Sequence, residues 1–346
     1  MTPQSTLPPA DDVVAPSSAS SSSSSATVTV PTGRRVLDTA ARHAMLIVLV
    51  VVVVTATITY NGFLTVENMK LLLLQYANVG LIAVGLTFLI MTGAFDLSVV
   101  PVFVAGATVF CRMAGHTPWE LALLLAVMIG LLAGAVNAFV VIRLKVNSFM
   151  ATLATASVFS GILQTYLGTN TFTVSSNSAR VIGTGSIIGV PVPVIILVVA
   201  LAVGQFVLAN TTYGRSLTAV GGNEEAARLA GIRVGWLRFS AFALVGVAAA
   251  CSGVIYGATV GIAQSSVLVD QSKLVLDAIA IVVVGGTSLF GGEGAMWRTA
   301  VGILIFATLS NVFIGLNTAV TTEAIVQGLV VIAAVAADAY SRGRNR

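Results

Sequence analysis

Long apolar runs recur along this chain. Residues 43–60 read HAMLIVLVVVVVTATITY, and residues 119–142 read WELALLLAVMIGLLAGAVNAFVVI. About 20 such residues, wound as an α-helix, cross a hydrocarbon core of about 30 Å. In lipid every backbone N–H and C=O must be bonded within the protein, so only helices and closed barrels span it. The runs do not alternate with a period of two, and the pattern predicts a bundle rather than a barrel. Charged residues make up 9% of the chain, against about 25% in a soluble domain. That is too few to cover a water-facing surface. The expected fold class is all-α, a polytopic membrane bundle.

Ten segments read as membrane helices, at about 43–60, 71–93, 98–115, 119–142, 148–168, 188–209, 236–260, 274–290, 295–316 and 321–339. Residues 1–33 form a separate Ser/Pro-rich stretch, with the run Ser20 to Ser25 and no Lys or Arg before Arg34. Such a composition buries no core and is expected to be a disordered cytoplasmic tail. Its apolar stretch starts too late and runs too long for a secretory signal. Residues 34–346 form the membrane domain. Under this threading, Lys70, Arg112, Arg180 and Lys273 fall on one side and the other 13 of the 17 basic residues on the opposite side. The positive-inside rule then places both termini in the cytoplasm, which requires an even number of spans.

Some functions are excluded at this stage. The net charge of +4 comes without a basic block, so nucleic acid is not an expected partner. Cys111 and Cys251 lie in apolar runs and read as small buried hydrophobes. His43 and His116 sit at segment ends, and no metal-binding or nucleophile–base pattern occurs. The stretch GGTSLFGGEG (285–294) is glycine-rich but lacks the Lys-Ser/Thr ending of a phosphate loop. The chain is therefore expected to bind no ATP itself, and the stretch to serve close packing or a re-entrant bend. Gly130/Gly134 and Gly253/Gly257/Gly261 are spaced for close helix contact.

The most charged loop, about 211–235, carries AVGGNEEAARLAGI (219–232). After Gly221 and Gly222, Asn223 is suited to cap a helix N-terminus. Glu224 and Glu225 in the first turn suit the helix dipole, and Glu224 stands four residues before Arg228 in the favourable order. Gly231 is placed to end the helix in a left-handed residue. Ala226, Leu229 and Ala230 make a small apolar stripe. A helix of about eight residues is marginal alone, so it needs a surface, either its own bundle or a soluble partner.

Polar residues inside spans are the other candidates. Asp96 follows Gly93 and precedes Ser98 and Pro101, which reads as an interrupted helix with Asp96 as N-cap. A carboxylate in a membrane is costly and tends to have a partner or a function. Capping and lining a transport path are both open, since broken helices in transporters often do both. Asn78, Asn137, Gln164 and Asn311 could bond between helices or face a path. Asp277 stands four residues after Lys273 and could cap or pair near the outer surface.

The stretch TTYGRSLTAVGGNEEAARLAGIRVGWLRFSAFALVGVAAACSGVI (211–255) resembles the cytoplasmic coupling region of bacterial ABC-importer permeases, of the ribose/xylose/galactose-type sugar group within the branched-chain amino-acid/ribose permease superfamily. MTGAFDLSVVPVFVAGA (91–107), VNSFMATLATASVFSGI (146–162) and LDAIAIVVVGGTSLFGGEGAMWRTAVG (276–302) are similar to further blocks of that family, in order. The likeness covers most of residues 65–340. Two departures are Val100-Pro101, where Gly-Ser is usual, and Glu293, where Arg is frequent.

The resemblance implies a membrane-spanning permease domain that does no covalent chemistry, in a bacterial inner membrane. It implies a cytoplasmic ABC ATPase that holds ATP and Mg, a periplasmic sugar-binding protein, a second permease subunit and surrounding lipid. It implies that Glu224, Glu225, Ala226, Ala227 and Gly231 dock the ATPase, within a coupling element running from Gly221 to Arg228 and Gly231. It implies a monosaccharide or polyol as cargo, for which amides such as Asn78, Asn137, Gln164 and Asn311 would suit a path, and it keeps Asp277 as a path candidate beside Asp96 and Ser98. The alternatives are an ion-coupled secondary transporter, which would need several buried carboxylates, and an ABC permease for branched-chain amino acids.

Overall fold

The computed structural model describes residues 32–343. Most of the tail expected over 1–33 lies outside the described residues, as do Arg344 and Arg346. The chain divides into residues 1–42 and residues 43–346, and the architecture below belongs to the second unit.

Helices occupy the positions read from the apolar runs. They are α1 (Thr32–Thr59), α2 (Val66–Met91), α3 (Val99–Met113), α4 (Trp119–Arg143), α5 (Ser148–Leu167), α6 (Asn177–Thr184), α7 (Val192–Asn210), α8 (Thr212–Gly222), α9 (Glu224–Leu229), α10 (Val234–Val260), α11 (Val267–Asp270), α12 (Leu274–Val284), α13 (Met296–Gly315) and α14 (Val320–Gly343). Among the described residues, 5 helices are long and apolar enough by length and composition to cross a membrane: α2, α4, α7, α10 and α13. Two short antiparallel ladders tie loops together, Phe172–Thr173 with Ile262–Ala263 and Ser186–Ile187 with Val190–Pro191. The second ladder takes the first residues of the segment read as 188–209, so α7 begins at Val192.

The segment read as 274–290 is shorter as a helix. α12 has 11 residues, about 16 Å at 1.5 Å per residue. It stops at Gly285, where the backbone of Arg298 packs so closely that an added Cβ would lie 2.5 Å from its carbonyl oxygen. The rest of that segment is the turn into α13.

Small residues set the packing. α10 lies between α2, α3 and α4, and glycines let the backbones approach. A Cβ on Gly130 or Gly134 of α4 would collide with the carbonyls of Gly246 and Phe242 on α10. One on Gly253 would collide with the carbonyl of Phe103 on α3. Lipid tails are as apolar as leucine, so helices in a membrane associate through such close contact. Gly261 differs from its two partners in the spacing: it ends α10 at φ +84°. On α4 and α7 the outer faces stay uncovered, with Leu124, Leu132, Phe139, Val199 and Phe206 exposed, as for helices that meet lipid.

Candidate functional site

The charged loop is built as two short helices over a glycine junction. Thr211 opens α8 by accepting the Gly214 N–H at 3.4 Å. α8 ends in Gly221-Gly222, and Asn223 turns extended, with Oδ1 accepting the Ala226 N–H at 3.0 Å. α9 then runs six residues and closes on Gly231 at φ +83°. The Gly231 N–H bonds to the Arg228 carbonyl and the Ile232 N–H to the Ala227 carbonyl, each at 3.0 Å. This doubled closure satisfies carbonyls that the helix end would otherwise leave bare.

Two contacts hold α9 to the bundle. Ala227 is buried. Glu224 accepts from Arg228 through Oε1 and from Arg238 of α10 through Oε2, both at 2.7 Å. The stripe Ala226, Leu229 and Ala230 does not pack inward: all three are exposed, as is Glu225, and Leu229 is 86% exposed. Ala227 and Glu224 face the bundle, so the apolar stripe is presented outward.

Beneath α9 three pieces of backbone converge. The Gly292 N–H donates to the Met91 carbonyl at 3.0 Å. Gly221 lies against both, and Gly291 and Gly292 hold φ of +82° and +80°. GGTSLFGGEG is thus a tight turn docked on the end of α2 and the end of α8, with the Ser288 N–H bonded to the Glu293 carbonyl at 3.0 Å. Glu293 is exposed on that turn.

Asp96, Ser98 and Asn137 come together at the interruption between α2 and α3. Ser98, not Asp96, is the N-cap residue of α3. Asp96 instead gathers donors: Oδ1 accepts the Ser98 N–H at 2.8 Å and its hydroxyl at 2.7 Å, and Oδ2 accepts from Asn137 Nδ2 at 3.0 Å. Asn137 Oδ1 accepts from Thr155 at 2.6 Å. The broken backbone is satisfied from α5, where Ser148 and Thr152 accept the N–H groups of Phe95 and Leu97 at 3.1 and 3.0 Å. Asp96 is 1% exposed and Asn137 fully buried. Pro101 falls in the first turn of α3, where no intrahelical N–H is lost. Val100-Pro101 therefore starts a helix rather than bending one.

Asn78 and Asn311 line a second place, a cavity of about 460 Å³ between α2, α10 and α13, with Tyr60, Asn68, Gln75, Tyr256 and Thr259. Asn68 and Asn311 exchange two amide bonds of 2.9 Å. The Asn78 side-chain oxygen is buried with no protein partner among the described residues. The other candidates stand apart. Gln164 is exposed on α5. Asp277, half-buried on α12, meets the charges of Glu323 on α14 and Lys273, and among the described residues it makes no ion pair within 4.0 Å. Asn68 and Gln75 are not among the sequence candidates, yet Asn68, Gln75 and Asn78 recur at helical spacing on one face of α2. Ser148, Thr152 and Thr155 do the same on α5. Both stripes are visible in the sequence.

Apolar helices long enough to span a bilayer, joined by a capped loop helix that turns its stripe outward, define a polytopic membrane protein. The comparisons agree. Residues 68–335 match the family model described as branched-chain amino acid transport system / permease component. The chain is 36% identical over 283 residues to the ribose import permease protein RbsC of Haemophilus influenzae, covering 80% of this chain and 87% of that one. It is 33% identical to the L-arabinose transport system permease protein AraH of Escherichia coli, over 88% and 92% of the two chains. With the xylose transport system permease protein XylH of Escherichia coli the identity is 31%, over 83% and 88%. No solved structure matches the chain. The chain belongs to this family of membrane transport permeases.

Proposed function

We propose that the chain is the membrane-spanning subunit of an ATP-binding-cassette importer in a bacterial inner membrane and carries a monosaccharide or polyol. In this reading ten segments cross the bilayer with both termini in the cytoplasm. A second permease chain completes the path, a periplasmic binding protein delivers the sugar, and a cytoplasmic ATPase binds ATP and Mg. The supporting observation is the outward face of α9. Glu225, Ala226, Leu229 and Ala230 are exposed on a helix whose other side is anchored by Ala227 and by the Glu224–Arg238 bridge. A push on that face reaches α10 through the bridge and α2 and α13 through the Gly221–Met91–Gly292 contact. Alternating access driven from the cytoplasm needs such a handle.

The cavity of Asn78 and Asn311 bears on the cargo. Amides, a hydroxyl and two tyrosine rings share its wall with Leu71, Leu74, Val260 and Ile314, and among the described residues no Asp, Glu, Lys or Arg lines it. Such a lining suits a neutral polyhydroxyl compound and leaves the two charges of an amino acid without partners. A proton- or sodium-coupled carrier would place carboxylates in its path, whereas Asp96 is closed into a hydrogen-bond network.

The test is co-purification and uptake with the cognate ATPase, for wild type and for a Glu225→Arg, Gly231→Pro chain. Proline cannot adopt the φ of +83° held by Gly231. The expected outcome is loss of the ATPase and of uptake. Uptake that proceeds with no ATPase present would rule the proposal out.

A further inference from the structure

Beside α9 lies a larger hollow of about 870 Å³, walled by the end of α4, the start of α5, the start of α10 and α9 itself. Four cations line it: Lys145, Arg228, Arg233 and Arg238. Glu224 is its one carboxylate, and Arg228 and Arg238 share it. Among the described residues Lys145 and Arg233 meet no carboxylate within 4.0 Å. The N-terminus of the 20-residue α5 opens here through Asn147 and Ser148, adding the positive end of a helix dipole. Lys145 is held at φ +57°, a left-handed conformation that side-chain sterics disfavour in a non-glycine residue. A lysine in that place carries its cation against the backbone's preference.

The rim of the hollow is apolar. Leu144, Val146, Phe149 and Met150 are exposed beside it, and on the other side of α10, turned away from the hollow, Trp236 is exposed and stacked on Phe239. Exposed tryptophan beside arginine and lysine at the ends of spanning helices marks the level where a bilayer meets water. A cradle of cations with an oily rim at that level fits a molecule with an anionic head and acyl tails.

We propose that this hollow binds the phosphate headgroup of an anionic phospholipid, with the acyl chains lying on Leu144, Val146, Phe149 and Met150. The proposal rests on the helices crossing a bilayer and not on the cargo or on the ATPase. The lipid would sit against the roots of α9 and α10, where the Glu224–Arg238 bridge is made. The membrane's anionic lipid content would thereby tune how firmly the handle is seated.

The test uses the full chain purified in mild detergent from membranes and mixed with phosphatidylglycerol and phosphatidylcholine of matched chains. Retained lipid is measured by native mass spectrometry. Wild type is expected to keep phosphatidylglycerol over phosphatidylcholine. Lys145→Gln and Arg233→Gln are each expected to weaken that preference about fivefold, the contribution of one surface cation. Lys145→Gly removes the charge and relieves the backbone, so it folds at least as well and is expected to lose lipid as Lys145→Gln does. Lys273→Gln, at the far end of the bundle, is the control and keeps the preference. Unchanged retention in Lys145→Gly and Arg233→Gln would overturn the proposal. So would displacement by inorganic phosphate alone with no requirement for acyl chains, which would make this a site for a soluble anion.

Discussion

Gly221 leaves no room for a side chain against the carbonyl of Met91. The same carbonyl accepts the Gly292 N–H at 3.0 Å, so the end of α2, the end of α8 and the α12–α13 turn meet at one point. Its neighbour Gly222 has nothing within 4 Å of the position a Cβ would take. The two adjacent glycines should therefore behave oppositely. Gly221→Val forces the three backbones apart, and overpacking of this kind costs about 1–3 kcal/mol. Gly222→Ala is expected to be neutral or slightly stabilising, because Gly222 is still a helical residue of α8 and alanine is the better helix former. Thermal unfolding of the purified chain followed by tryptophan fluorescence reads both. Equal effects would refute the three-way junction.

The outward face of α9 should be separable from stability. Leu229 is 86% exposed, and surface substitutions away from special contacts shift stability by no more than about 0.5 kcal/mol. Leu229→Ala is expected to leave thermal unfolding unchanged and to weaken capture of the ATPase. Arg238→Ala acts differently. It removes the Glu224–Arg238 bridge at 2.7 Å while leaving the face intact, so ATPase binding should survive and ATP-driven uptake should fall. Loss of binding in Arg238→Ala but not in Leu229→Ala would reverse the roles assigned to the two sides of the helix.

Much of this was readable from residues, and the failures share a cause. The helices follow from apolar runs because lipid imposes one solution on backbone hydrogen bonds. The Asn223 cap and the Gly231 closure follow because both are local. The packed face of α9 does not. Ala226, Leu229 and Ala230 form the larger apolar stripe, yet Ala227 is the buried residue, on a helix tied to α10 through the Glu224–Arg238 bridge. Likewise Ser98, rather than Asp96, takes the N-cap position of α3, and the Asp96 carboxylate is shared between Ser98 and Asn137 of α4. Asn68 stands outside the apolar segment read from residue 71, so its pairing with Asn311, 243 positions away, left no local trace.

The Asp96 network should show strong coupling. Asp96→Ala leaves the Ser98 N–H and one Asn137 amide hydrogen without their acceptor inside the bundle. Each buried unsatisfied group costs about 1–3 kcal/mol. Asp96→Asn keeps one acceptor oxygen for Ser98 but sets its own amide against that of Asn137, so a smaller loss is expected. A double-mutant cycle of Asp96→Ala with Asn137→Ala is expected to give an interaction energy of about 0.5–3 kcal/mol, read from unfolding in detergent. Additive losses would show that the two residues act independently.

The amide-lined cavity offers a case where stability and transport should move in opposite directions. The Asn78 side-chain oxygen is buried without a protein partner, and such a group lowers stability until something bonds to it. Asn78→Leu removes it at similar volume, so the chain is expected to unfold at a temperature equal to or above that of wild type. If that oxygen meets a sugar hydroxyl in the path, the same variant should take up substrate more slowly, the trade between stability and activity expected of a binding group. Asn311→Leu is the contrast. Asn311 exchanges two bonds of 2.9 Å with Asn68, and breaking that pair leaves a buried amide stranded, so stability and uptake should fall together. Uptake by reconstituted vesicles, paired with unfolding of the same preparations, separates the outcomes. An Asn78→Leu chain that transports as wild type does would take Asn78 out of the path.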